Sequence, residues 1–235
     1  MALLDDAIDA SGGLARWTRL SRFTLHLSFG GMLFTEAGHA GHFKDVIAEG
    51  STRTQSVRFT GITGGQGCAS FQPDSVTIES IDGEILRTWR HPQLRLPEDA
   101  IHPLADELHL VFFCGFAIWS YLTTPFLLAR PDVQVEELPP WHENGVIWHR
   151  LSARFPSDIV THNSEQIFYF DENALQRRVD HDLLGTRVAD YSWAHQTFSD
   201  IMVPTLRRSQ MLQSDGTVIA KPALIDVEIF DAAFD

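Results

Sequence analysis

Residues 108–129 read LHLVFFCGFAIWSYLTTPFLLA and contain no Asp, Glu, Lys or Arg. This is the longest uncharged run in a chain that otherwise looks like short strands. About 20 apolar residues can cross a bilayer, so the run first has to be weighed as a membrane span. Cys114, Gly115, Ser120, Thr123 and Thr124 dilute its hydrophobicity, and Pro125 ends or kinks a helix near Thr124 because it has no N–H to donate. The flank Asp106-Glu107 is acidic, and no Lys/Arg cluster sets an orientation. A helix apolar on nearly every face is what a protein core produces. The reading is therefore a buried helix over 108–122, its acidic start matching the positive end of the helix dipole, with a sheet wrapped about it.

Outward from this run the periodicity changes to that of strands. On the N-terminal side, residues 3–20 form one broken helix or two short ones. The break is Ser11-Gly12-Gly13, and Leu14, Trp17 and Leu20 keep a helical stripe. Residues 22–29 switch to period two, with Phe23, Leu25, Leu27 and Phe29 on one face. Strands are expected at 43–49 and 53–60, then a glycine-rich loop at 61–67 that lacks the Lys-Ser/Thr of a phosphate loop. Residues 75–80 and 84–89 flank Asp82-Gly83, a hairpin signal. The segment 91–103 then leads to the helix.

On the C-terminal side the expected strands are 133–138, 146–155, 165–170, 175–183, 187–198, 205–212 and 223–230. Residues 171–174 turn one hairpin, and Ile147, His149, Leu151, Ala153 and Phe155 share a face. About a dozen strands in consecutive order imply antiparallel neighbours. The fold class is mainly β (α+β): a single antiparallel, strongly curved sheet or incomplete β-barrel around a buried central helix, with an N-terminal helical segment. With no repeat or linker, residues 1–235 are expected to form a single domain.

Composition narrows the function. The net charge of −13 disfavours nucleic acid, whose phosphates need Lys and Arg, and anionic membrane surfaces. Phe 16, Trp 6 and Tyr 3 supply rings for a core or a pocket. Cys68 and Cys114 have no metal-type spacing and are expected reduced. The start MALLDDAIDA lacks a basic region followed by an apolar segment, so a cytoplasmic protein is expected. His39 and His42 lie in a glycine loop with no third or fourth ligand nearby, so no metal is expected. Without G-x-S-x-G or G-x-G-x-x-G, neither a serine elbow nor a nucleotide cofactor is indicated, and no cofactor is assigned.

The chemistry-bearing residues cluster near the helix and in 161–195. His102, His109 and His142 border the helix or its connections, and His109 alone is titratable within the uncharged run. It is either a core histidine bonded to a carbonyl or an acid/base at a cavity wall. Arg178, Asp180 and Asp182 share one strand face; Val179, His181 and Leu183 share the other; Tyr191, Trp193 and His195 share a face nearby. Neighbouring strands bring such residues within about 5 Å. His162, Asp180 and His195 are then candidates for base, orienter and second base, with Tyr169 as donor and His109 at the wall. The competing reading is an outer-face ion-pair network, Arg178 to Asp180 and Asp182 to Arg207.

Residues 12–29, GGLARWTRLSRFTLHLSF, resemble the amphipathic helix and first strand of the LolA/LolB-like superfamily of bacterial lipoprotein carriers. The element order resembles it too. The resemblance implies an incomplete antiparallel barrel closed by helices around an apolar cavity for acyl chains. Two functions are carried forward. The first is a cytoplasmic enzyme without nucleotide cofactor, an isomerase, cyclase, lyase or hydrolase using His/Asp acid–base chemistry on a hydrophobic small molecule. The alternative is a non-catalytic binding or carrier protein for a hydrophobic ligand such as a lipid. Neither reading includes a nucleic acid or a membrane span, and oligomeric state is not legible.

Overall fold

The computed structural model describes residues 2–65, 67–92, 104, 106–183, 185–213, 216–219 and 221–235. His102 and most of the 91–103 segment lie outside the described residues. The N-terminal helical segment is two helices, Ala2–Ala10 and Leu14–Trp17, broken where the glycines stand. Then come β1 (Arg22–Gly30), β2 (Val46–Ser51), β3 (Val57–Gly61), β4 (Gly67–Gln72), β5 (Ser75–Ser80) and β6 (Ile85–Arg90). The central helix is Glu107–Thr123, followed by a 3-10 turn, Phe126–Ala129. The second series is β7 (Gln134–Glu143), β8 (Val146–Arg154), β9 (Glu165–Phe170), β10 (Gln176–Leu183), β11 (Thr186–Phe198), β12 (Ile201–Leu212), β13 (Val218–Ile219) and β14 (Ile225–Phe234).

The sheet order is β6-β5-β4-β3-β2-β1-β14-β12-β11-β10-β9-β8-β7, with β13 beside β12 and every pairing antiparallel. Two meanders thus join at β1 and β14, and the chain leaves one outer edge, β6, to re-enter at the other, β7. The central helix lies on that route. It packs on β3 to β6 on one side, and its rings meet His162 from the second meander on the other. A segment covered from both sides has no face for charge, which explains the uncharged run. The sheet is open, not a closed barrel: β6 and β7 are both edges.

Local chemistry sets the helix. The Asp106 side chain caps it by accepting from the Leu108 N–H at 2.8 Å, and Arg87 donates to the same carboxylate at 2.6 Å. Leu110, Val111, Phe113, Cys114, Phe116, Ala117 and Ile118 are fully buried. Gly115 allows close approach to β4: a Cβ there would stand 2.3 Å from Phe71 Cβ. In β1 the expected alternation holds, with Phe23, Leu25, Leu27 and Phe29 inward.

Several boundaries differ from expectation. β4 was not expected, because its sequence GCASFQ is short, small and joined to the glycine run. Thr63 and Gly64 have positive φ (55° and 69°), so the 61–67 loop contains a tight turn before the strand. β7 extends past Pro139 and Pro140 to Glu143 through a register irregularity between Leu138 and Trp141. The β8 face is core only at Leu151 and Ala153, with Phe155 buried just beyond its end, whereas Ile147 is 51% exposed at the projecting hairpin.

Candidate functional site

Two regions adjoin the central helix. The first is an open groove of about 410 Å³ where the N-terminal helices meet the helix C-terminus. Leu14, Trp17, Leu20, Trp119, Phe126 and Leu127 line it. Trp17 stacks on Phe126 at 4.3 Å between centroids. The Trp119 indole donates to the Ser51 carbonyl at 2.9 Å, which fixes the ring and satisfies its one polar atom. Arg53 and Arg130 stand on the rim. Arg53 donates to the carbonyls of Leu20 and Thr18, both at 3.2 Å.

The second region is a buried polar cluster between the helix and β10 to β12. Asp190 (1% exposed) and Arg207 (3%) are 3.5 Å apart. Ser209 donates to Asp190 at 3.3 Å, and Arg207 donates to the Tyr121 carbonyl at 3.3 Å while its guanidinium covers the Tyr121 ring. Burial pushes the Asp190 carboxyl up, offset by Arg207 and His181. His162 stacks on His181 at 4.1 Å, and both rings are buried, with no hydrogen-bond partner for the His162 nitrogens among the described residues. Burial holds His162 well below its ordinary value, and the His181 charge would lower it further. Burial lowers His181 as well, against the pull of Asp190.

Of the five sequence-derived residues, Tyr169 and Asp180 come together. The Tyr169 hydroxyl donates to Asp180 at 2.7 Å, and burial raises the phenol to about 12. Arg178 grips Asp180 with two bonds, at 2.5 and 2.9 Å. The other three stand apart from them. His162 is on the inner face against Phe113, Phe116 and Tyr121. His195 donates to the Gln176 carbonyl at 3.0 Å, and burial, with Arg177 and Arg207 nearby, lowers it to about 4. His109 packs on Trp89 at 4.4 Å near the helix start, and burial lowers it as well. Strand alternation is the reason: Asp180 points outward and His181 inward, so the sheet stands between Asp180 and His162. The outer-face network is real at Arg178–Asp180, yet it is buried rather than solvated, and Arg207 pairs with Asp190 instead of Asp182. Asp190, His181 and Arg207 were missed as a site because only the fold unites them; their inward register opposite Val179, Val188 and Val227 was the available signal.

The buried imidazoles set an acid response. Their folded values are depressed, so the unfolded chain takes up protons first as pH falls below 6.5. Stability from His162, His181 and His195 should be present at neutral pH and decline with acidification from 6.5 towards each folded value. Asp190, raised instead, works the other way above its ordinary 3.8. The urea midpoint should drop between pH 7 and pH 5, and less so in His162→Phe/His181→Phe; equal drops would remove these imidazoles from the account.

No protein-family model matches the sequence, and no curated protein matches it. Among solved structures the chain is similar to a LolA superfamily protein from Nitrosomonas europaea, with 9% identity and a TM-score of 0.52 over 97% of this chain and 90% of that one. It is also similar to a putative outer membrane lipoprotein-sorting protein domain from Vibrio parahaemolyticus, with 12% identity and a TM-score of 0.47 over 99% and 92%. The first likeness establishes the fold: it is LolA-like, as residues 12–29 suggested. Two expectations are corrected. The expected acid–base enzyme finds no support: the fold is LolA-like, and the expected His/Asp constellation is split across the sheet. The cytoplasmic location expected from the first residues is not supported by the likeness to the LolA superfamily protein. Among the described residues no helix is long and apolar enough to cross a membrane.

Proposed function

We propose that this protein is a non-catalytic binder or carrier of a hydrophobic ligand with at least one acyl-like chain, acting outside the cytoplasm as a single domain. The observation that supports this most is the open groove of about 410 Å³. Its volume falls in the range of ligand pockets, roughly 300–1,000 Å³. Its walls are rings and aliphatic chains that continue into the core, since Trp17, Leu20, Trp119, Phe126 and Leu127 all belong to the main hydrophobic cluster. An apolar chain entering there replaces water against those walls at about 25 cal/mol per Å². Arg53 at the rim would face the ligand's polar end, while Arg130 beside it is held by Asp132 at 2.6 Å. His162, His181 and His109, neutral at pH 7 by the directions of their shifts, add no charge to the interior. They serve the fold in this reading, as do Tyr169, Asp180 and His195.

Native mass spectrometry of freshly purified protein should show a co-purifying lipid-sized mass. A fluorescent fatty acid should bind the delipidated protein. Leu14 is 44% exposed at the groove's lip. Leu14→Arg should weaken the probe about tenfold, or roughly 1.4 kcal/mol, with little change in melting temperature. No co-purifying mass together with no probe binding would reject the proposal.

A further inference from the structure

The outer face of a one-sided antiparallel sheet is normally polar. Across β7 to β12 large aromatic rings stand among its charged residues, which include Arg150, Arg178, Asp180 and Arg208. Phenylalanine dominates the inner core, while Trp141, Trp148, Tyr169, Tyr191 and Trp193 come to the outer face. Tyr169 and Tyr191 both stand opposite Arg178, Trp141 opposite Trp148, and Trp193 beside Arg208. That places three of six Trp and two of three Tyr on the side away from the central helix. Trp148 and Tyr169 pack on one another, but Trp141, Tyr191 and Trp193 also line an open groove of about 700 Å³ between the β7–β8 and β12–β13 hairpins.

The charges beside these rings are already matched within the protein. Glu143 accepts from the Tyr191 hydroxyl at 2.6 Å and from the Trp141 indole at 3.0 Å, and it pairs with Arg178. Arg208 donates to Asp226 at 2.7 Å and covers Trp193 at 5.5 Å. A charged ligand therefore finds little uncompensated opposite charge in the wall. What the groove offers is aromatic surface, which takes apolar C–H groups, next to the side chain of Asn144, which exchanges hydrogen bonds with neutral polar groups. A molecule with flat C–H faces and a periphery of hydroxyls fits both. We propose that this outer groove binds a neutral oligosaccharide, at a site separate from the apolar groove and independent of the ligand held there.

The test is isothermal titration with cellohexaose, maltohexaose and chitohexaose, alongside an anionic heparin hexasaccharide and vesicles of equal parts phosphatidylethanolamine and phosphatidylglycerol. At least one neutral sugar should bind and change the tryptophan fluorescence. Trp193→Ala should weaken it about tenfold or more, the equivalent of roughly 1.4 kcal/mol, whereas Trp193→Phe should retain most of the affinity. Leu86→Ser, on the opposite edge strand, should leave it unchanged. Trp141→Ala serves as a second variant, and far-UV circular dichroism checks that each one folds. The proposal is overturned if no neutral sugar binds, or if binding survives in both folded alanine variants. Binding confined to the heparin fragment overturns it too. So does binding confined to vesicles, which would make the exposed Val146 and Ile147 at the hairpin tip a membrane contact instead.

Discussion

Phe116→Asp should yield no soluble folded protein. The Phe116 ring has no solvent exposure. It meets Phe112 and Phe113 of the same helix, both at 5.5 Å, and His162 of the second meander at 5.0 Å, so one side chain ties the helix to that meander. Removing a buried Phe costs about 3–5 kcal/mol. Placing an unpaired carboxylate in that space costs several more, or forces it to hold a proton. Whole domains are stable by only about 5–15 kcal/mol. Phe116→Leu should still fold, because it keeps an apolar side chain of similar reach. Soluble yield and circular dichroism of the two variants distinguish them. A well-folded Phe116→Asp protein with an unchanged melting temperature would mean that the helix is not the core of this fold.

The same helix shows why some of the structure was legible beforehand. A run without charge has few destinations, and Pro125 marks its end, so burial and boundary both follow from local chemistry. Asp82-Gly83 and the period-two pattern of residues 22–29 were equally local, and the hairpin and the inward face of β1 follow them. The Tyr169–Asp180 bond was within reach because one short turn at 171–174 fixes the register of β9 on β10. The failures are non-local. β4 lacks large residues except Phe71 and becomes a strand by pairing between β3 and β5. His162, Asp180 and His195 were grouped by nearness in sequence, whereas the inward or outward direction of each depends on alternation and on the turn preceding β9. The groove joins residues at 14–20, 52–53 and 119–131, three segments far apart in the chain, and no local pattern announces such a meeting.

Arg207→Met should destabilise the protein by about 3–5 kcal/mol, the usual consequence of taking one partner from a buried ion pair. Asp190 would remain 1% exposed with Ser209 as its remaining donor from the sheet. Its carboxyl is already pushed up by burial, and without Arg207 it should rise further and favour the protonated form. A raised folded value gives stability that is present below 3.8 and lost as pH rises. The defect should therefore be largest near neutrality and shrink in acid, opposite to the response of the buried imidazoles. Asp190→Leu/Arg207→Met removes both charges and should recover most of the loss, since an apolar pair of similar size often replaces a buried ion pair at little cost. Urea unfolding of the two single variants and the double variant gives their coupling. Strictly additive effects would show that the 3.5 Å approach contributes nothing. Strong coupling would leave the question of what the pair is for, and the Arg207 bond to the Tyr121 carbonyl supplies a physical answer. It fixes the last turns of an otherwise featureless apolar helix to one position on β12, where greasy packing alone would tolerate several. In the double variant the helix should then be held less uniquely, seen as faster amide exchange at 119–123 even where global stability has returned.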